Sequence, residues 1–409
     1  MAIDREQLRF IRDFSSYRVR LYGNGYLRRD PVALIQLRTG IEDPYPLYER
    51  IRAQGRMVRT AMNGMVTVDH EISDEVLRSR HFSAATKEAK EAELSLLSMD
   101  PPEHTRLRAV IAGDFTARRI SAYQPLVTSV VEKSIKDVPV GEPFDLVSAI
   151  AAPVPVAVVT ELFGIPDADA EEFVRHGTEF SSAIGGIQSL AHARRLLATR
   201  DRLAEMLEGV LQHRRQVPGD DLMSRIANAD ENAIHADELM PLCILLLIAG
   251  FQTTVNLIGN TVLALINHPD QRALVAAQPE LAAQAVEECL RYDSPVQRSA
   301  RLTMSTTTIG GTEMPAGETI VVGIGGANRD PGVFSDPDAY DITRTNAGDH
   351  ISFSGGAHYC IGAPLARLEA ITAVQSIMTE FPGLKIDGPL ERQPGGLVRG
   401  LRSFPVRAA

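Results

Sequence analysis

The segment Phe353-Ser354-Gly355-Gly356-Ala357-His358-Tyr359-Cys360-Ile361-Gly362-Ala363-Pro364 puts one cysteine at the exit of a glycine-rich loop, just where a helix begins. A thiol is a weak donor. The thiolate is the competent metal ligand, and the positive end of a helix favours it. Gly355 and Gly356 open backbone angles closed to other residues, so the chain can turn tightly beneath the sulfur. Gly362 has no side chain, which leaves room for a flat cofactor against the backbone. Pro364 suits the first turn of a helix. The spacing of Leu365, Ala366, Leu368, Ala370 and Ile371 continues that helix. Structural zinc is a poor rival, because it takes about four nitrogen or sulfur ligands and the chain has three cysteines.

Working outward, the 409 residues show no linker, repeat or low-complexity tract, so one large unit is favoured. The division expected is a leading arm, 1–42, and a single domain, 43–409. Hydrophobic residues at 44% and charged residues at 23% are ordinary for a globular protein. A net charge of -10 argues against nucleic-acid binding. Cys243, Cys289 and Cys360 are too few for a disulfide framework and fit a reducing cytosol, so a cytoplasmic protein is expected. The segment before residue 30 holds Arg5, Arg9, Arg12, Arg18, Arg20, Arg28 and Arg29 with no long apolar run, and reads as a solvated arm. The strongly apolar run Leu242 to Phe251 is followed by Gln252, Thr253, Thr254, Asn256 and Asn260. A membrane span needs about twenty mostly apolar residues. A buried helix is therefore expected, and no integral membrane association.

The periodicities predict a mainly helical protein with minor sheet. Helices are expected over Pro46 to Gln54, Glu71 to Arg80, Leu126 to Ile135, Val154 to Phe163, Ala170 to Phe180, Ala191 to Arg214, Asp237 (as cap) to Asn267 and Pro279 to Tyr292. Paired strands are expected over Met57 to Ala61 and Met65 to Asp69, turning at Asn63-Gly64. Short strands follow around Ile309 to Val322, and a last strand pair lies near Leu397 to Val406.

The pattern Phe-x-x-Gly-x-His-x-Cys-x-Gly on Phe353, Gly356, His358, Cys360 and Gly362 resembles the haem-binding loop of the cytochromes P-450. The order of elements agrees with that family from Asp43 to Val406. The resemblance implies the cytochrome P-450 fold, with haem b between a long central helix and the cysteine-loop helix. It implies Cys360 as the iron ligand and Phe353 and Gly362 as cofactor contacts. Two buried propionates demand cationic partners. The resemblance gives that role to His104 and Arg108, which are four apart on one helix face, to Arg301, and to His358. Arg301 is preferred over Arg298 by its spacing from Pro295. Glu288 and Arg291 match the family's Glu-x-x-Arg element, joined by Arg344, and are read as architecture.

Ala249-Gly250-Phe251-Gln252-Thr253-Thr254 resembles the family's segment across the distal face of the haem. There Gly250 would let the helix open and Thr253 would relay protons. The chain departs from the pattern at Gln252, where the family usually has Asp or Glu. An amide orients water but does not titrate near neutral pH.

The function implied is a haem-thiolate monooxygenase. It would hydroxylate a hydrophobic small molecule with O2, drawing electrons from a separate ferredoxin and ferredoxin reductase with NAD(P)H. A monomer is expected. Arg118, Arg119 and Arg367 are candidate docking residues for the electron donor. Ser83 to Ser98 with Leu94, Leu96 and Leu97, then Leu246, Val296, Gln297 and Leu397 to Leu401, are candidate pocket walls. Two alternatives stay open: a peroxygenase using H2O2, which Gln252 favours, and a non-catalytic haem sensor or carrier.

Overall fold

The helix Ala236–Asn267 sets the geometry of the molecule. The computed structural model describes residues 5–62, 64–86, 95–139, 141–181 and 189–408. This helix is 32 residues long and apolar enough to cross a membrane by composition alone. Protein covers it instead, with buried residues on every side from Leu242 to Leu265. A helix that is apolar all round belongs in a core.

Its start is capped by His235, not by Asp237 as the sequence suggested. The Glu238 side chain accepts from the His235 backbone N–H at 2.8 Å, closing a capping box. Glu238 also takes both ends of the Arg106 guanidinium, at 2.9 and 2.5 Å. That ion pair ties the helix Glu103–Ala112 to the central helix, with His104 and Arg108 on a different side from Arg106.

Two hydrophobic clusters flank the central helix. One joins Val255, Leu257 and Val262 to the helices Gln124–Asp137, Ala282–Tyr292 and Ala363–Glu380. The other joins Leu245, Leu247 and Phe251 to the helices Pro153–Leu162, Asp167–Ser181, Leu190–Gln216 and Leu222–Ala227. Most helices fall within two or three residues of the ranges read from periodicity. The reading Pro279 to Tyr292 splits into a 3-10 turn, Pro279–Leu281, and a helix, Ala282–Tyr292.

The five-stranded sheet runs Val58–Arg59, Met65–Thr67, Thr319–Val322, Ser299–Thr303, Phe82–Ser83. Only the pairing of Met65–Thr67 with Thr319–Val322 is parallel, Met65 opposite Ile320. Val58–Arg59 and Met65–Thr67 pair antiparallel, as expected, and Asn63 of their turn lies outside the described residues. The expected pairing within Leu397 to Val406 is not found. Leu401–Ser403 pairs with Glu391–Arg392, and Pro405–Arg407 pairs with Pro143–Asp145 and Lys385–Ile386. A single intervening residue is too short to fold one strand back on the other.

The leading segment differs from the expected solvated arm. It forms a helix, Arg5–Tyr22, and Leu21 packs with Val32, Leu34, Leu47, Tyr48 and Val66. Residues 21–42 thus share a core with those that follow. The amphipathic signal of this helix was masked by its arginines.

Glu288, Arg291 and Arg344 pin the helix Ala282–Tyr292 to the segment that precedes the cysteine loop. Arg291 and Glu288 are both fully buried and meet at 2.7 and 2.8 Å. Arg344 reaches the same carboxylate at 3.2 Å. Arg291 also donates to the carbonyls of Asn328, Pro337 and Ala339. A buried ion pair holds its place only when such bonds satisfy the remaining donors. Glu288→Ala leaves two buried guanidinium groups uncompensated. It is expected to cost about 3–5 kcal/mol, read as a lower urea unfolding midpoint and a lower yield of folded protein.

Glu369, on the helix Ala363–Glu380, is a second buried carboxyl, and its Oε2 has no partner. Burial alone pushes it up from 4.5 to about 8. A carboxyl raised in the folded state holds its proton there. Its contribution is complete below 4.5 and is lost as pH rises through 8. Glu369→Gln removes that loss. The variant's unfolding midpoint should gain on the parent's from about pH 5 to about pH 9, and a gap independent of pH would refute the assignment.

Candidate active site

Cys360 follows a 3-10 turn, Gly356–His358, and precedes the helix Ala363–Glu380. Its N–H donates to the Phe353 carbonyl at 2.9 Å, which closes the loop. Gly356 sits at a φ of +60°, and a Cβ there would strike the Arg78 backbone at 2.9 Å, so glycine is required. Phe353 packs against the tilted rings of Tyr359 and His350, with the Arg367 guanidinium 4.5 Å over its ring.

The sulfur lies inside the protein, yet the residue keeps exposed surface. It therefore sits at an opening in the fold. Burial pushes the thiol up, while the N–H groups of Gly362 and Ala363 and the charges of Arg108 and Arg367 pull it down. These groups favour the thiolate once a metal ion offsets the desolvation. Gly362 has an ordinary φ of -82°, and a Cβ there would meet only the Cys360 sulfur, at 3.9 Å. Nothing in the protein demands glycine at that position, so the room it leaves suits a group from outside the chain.

The opening is bounded by the central helix. Ile361 packs on the cluster that holds Leu245 and Phe251, and Leu365 belongs to the one that holds Val255 and Leu257. Ala249 is exposed although its neighbours Leu247, Ile248 and Phe251 are buried. The Thr253 hydroxyl donates to the Ala249 carbonyl at 2.8 Å. Gln252 is turned aside, its Nε2 donating to Asn256 Oδ1 at 3.0 Å. The helix passes through Gly250 without a break, where a Cβ would meet Val159 at 2.9 Å. In this structure Gly250 serves close helix packing rather than an open turn.

The four expected cationic residues come together from three elements. The His104 and His358 rings are 4.3 Å apart between centroids. Arg108 donates to the Tyr359 carbonyl at 2.7 Å. Arg301 is buried and donates to Ser299 Oγ at 2.8 Å, to the Ala300 carbonyl at 2.9 Å, and to Ser354 Oγ at 3.4 Å. Among the described residues none of the four forms an ion pair with a carboxylate. Asp100, the nearby acid, is occupied by Ser83 Oγ and the Ala84 N–H. Burial, then Arg301 and His104, drive His358 down to about 4, with Asp100 opposing. Burial drives Arg301 down to about 10. Two guanidinium groups with no counter-ion among the described residues, flanked by two neutral imidazole rings and beside an enclosed thiol, are what a flat metal complex with two carboxylates would satisfy. The residues present fit a haem.

Other expectations resolve differently. Arg298 is set apart from Arg301 and lies near Tyr17 and Tyr48. Gln297 is buried, accepts from Tyr48 Oη at 3.0 Å and donates to the Ser294 carbonyl at 2.7 Å, and it lines a small cavity with Val398, Arg399 and Gly400. Leu96 packs into the core and Leu97 is exposed, while Leu94 lies outside the described residues. Arg119 is paired with Asp220, and Arg367 with Glu287. Arg118 alone of that trio has no carboxylate partner among the described residues. Sequence reading missed Arg106 and Glu369, whose roles depend on a partner or an enclosure far along the chain.

Comparison with known proteins agrees with this geometry. The sequence model of the family described as Cytochrome P450 matches residues 54–388. The chain is 37% identical over 387 residues to the cytochrome P450 monooxygenase PikC of Streptomyces venezuelae, covering 89% of this chain and 91% of that one. It is 36% identical over 385 residues to the vitamin D(3) 25-hydroxylase of Pseudonocardia autotrophica, covering 89% and 94%. Its structure superposes on ligand-free CYP164A2 of Mycobacterium smegmatis with a TM-score of 0.85 at 33% identity, covering 93% and 99%. An enclosed cysteine near a long central helix, with Arg108 and Arg301 beside it, thus stands in a chain that belongs to the cytochrome P450 family of haem monooxygenases.

Proposed function

We propose that the chain holds haem b through the Cys360 thiolate and hydroxylates an apolar small molecule with O2, fed by a separate ferredoxin and its reductase with NAD(P)H. The observation that carries this reading is the Cys360 sulfur at an opening in the fold, with Arg301, Arg108, His104 and His358 gathered beside it and, among the described residues, no carboxylate paired with them. When bound, haem-thiolate supplies the oxygen activation that inserts an oxygen atom into a C–H bond.

The protein's share is to hold, exclude and position. Arg301, Arg108, His104 and His358 would bind the propionates, and Phe353 and Gly362 would contact the cofactor. Thr253 gives its proton to Ala249, so its oxygen is left to accept from water in the opening. Gln252 places an amide where an acid would titrate, so a proton entering there travels on water. Leu246, only partly buried on the central helix, favours an apolar substrate. The hydroxylase of vitamin D(3) among its relatives supports that class. An open cleft behind the loop, lined by His70, Arg78, Phe353, Tyr359 and Arg367, offers an electron donor its approach.

Gln252 also favours the peroxygenase reading, in which the oxidant brings its own protons. Product formed with ferredoxin, reductase and NAD(P)H supports the monooxygenase, and product formed only with peroxide overturns it.

Cys360→Ser is expected to lose the thiolate-type ferrous-CO absorption band. A band unchanged from the parent's would sink the assignment. Arg301→Met removes a charge-assisted contact worth about 2 kcal/mol, so haem should dissociate about thirtyfold more readily in a transfer assay to apomyoglobin. Gln252→Glu should raise the share of reducing equivalents that end in product rather than peroxide. An unchanged share would remove Gln252 from proton delivery.

A further inference from the structure

Gln252, Asn256 and Asn260 follow one another at intervals of four on the central helix and so share one face. Three amides in a row on a helix buried in apolar clusters are costly unless each finds partners. Asn260 Nδ2 donates to the carbonyls of Asp293 at 3.0 Å and Arg399 at 3.1 Å, which uses both its protons. Gln252 Nε2 donates to Asn256 Oδ1 at 3.0 Å.

That leaves a mismatch in the middle. Asn256 Nδ2, a donor, and Asn260 Oδ1, an acceptor, are both buried and have no partner. Both amides also face the same segment. A Cβ on Gly400 would collide with the Asn256 amide, and the neighbouring Arg399 carbonyl takes the Asn260 proton. The Asn256 donor and the Asn260 acceptor lie one helical turn apart, about 5–6 Å between Cβ atoms, yet are not bonded to each other, and the pair suits one bridging water.

We infer that an ordered water accepts from Asn256 Nδ2 and donates to Asn260 Oδ1. It completes a ladder from the Asp293 and Arg399 carbonyls through Asn260 and Asn256 to Gln252. Asn256 and Asn260 are then positioning residues. They hold Gln252 Nε2 against the helix, so Oε1, which has no protein partner among the described residues, is presented as an acceptor in the opening beside Thr253. This deepens the role of the haem site and rests on that reading. A backbone anchor two turns away thus sets which atom of Gln252 orients water.

A crystal structure of the haem-loaded protein tests the ladder. A solvent peak within hydrogen-bonding distance of both Asn256 Nδ2 and Asn260 Oδ1 is expected. Absence of that peak, or a direct bond between the two amides, overturns the inference. The resting ferric absorption spectrum and the peroxide released per electron pair give a second readout. Asn256→Leu, or the smaller Asn256→Ser if the first does not fold, should reproduce the changes caused by Gln252→Met. The double variant should differ from either single one by less than about twofold, since coupled residues are not additive. Additive effects, or an Asn256 variant with the parent's spectrum, overturn it. Failure of the ferrous-CO band in the parent would instead sink the haem assignment, so the two failures are distinguishable.

Discussion

The enclosure of one sulfur atom is the constraint on which the structure depends. Cys360 is kept inside the protein, near the central helix, by the Phe353 carbonyl on its N–H and by the N–H groups of Gly362 and Ala363. A thiol in such a place is pushed toward its neutral form by burial. A metal ion reverses that preference, because the thiolate is then paired. The loop therefore holds a ligand set against its own electrostatic preference. The rigidity comes from Gly356 pressed on the Arg78 backbone, and from Glu288, Arg291 and Arg344, which pin the segment that precedes the loop.

The same logic governs the cations. Arg301 and Arg108 spend their donors on hydroxyls and carbonyls, which satisfy geometry but not charge. Elsewhere the protein pairs its buried arginines, as with Arg291 and Glu288 or Arg399 and Asp293. The contrast within one molecule marks the cluster at the cysteine loop as built for an anion from outside. On the far side the central helix is polar at Gln252, Thr253, Asn256 and Asn260, and its buried Thr261 is satisfied by its own Leu257 carbonyl.

Much of the fold was legible in the chain. The 3.6-residue spacing of apolar positions marks the helices because most bury one face. Boundaries shifted where a cap lay outside the pattern, as at His235. The Leu397 to Val406 segment was misjudged because strand partners are chosen by tertiary proximity, and its partners lie at Pro143–Asp145 and Glu391–Arg392. The helix Arg5–Tyr22 was hidden because charge and aromatic residues obscured the few that dock.

The sequence by itself supplied the candidate ligand and, through resemblance, the kind of chemistry. A fixed spacing of Phe353, Gly356, His358, Cys360 and Gly362 is local information, and a loop of ten residues folds largely by its own glycines. It also named His104, Arg108 and Arg301, through resemblance. Only the tertiary structure decided that these residues meet without an ion pair among the described residues, that Gln297 and Arg119 are already committed, and that Gln252 leans on Asn256. Such facts concern pairing across many turns of chain. Whether a polar group is free or satisfied is settled by what folding brings beside it, which no local pattern records.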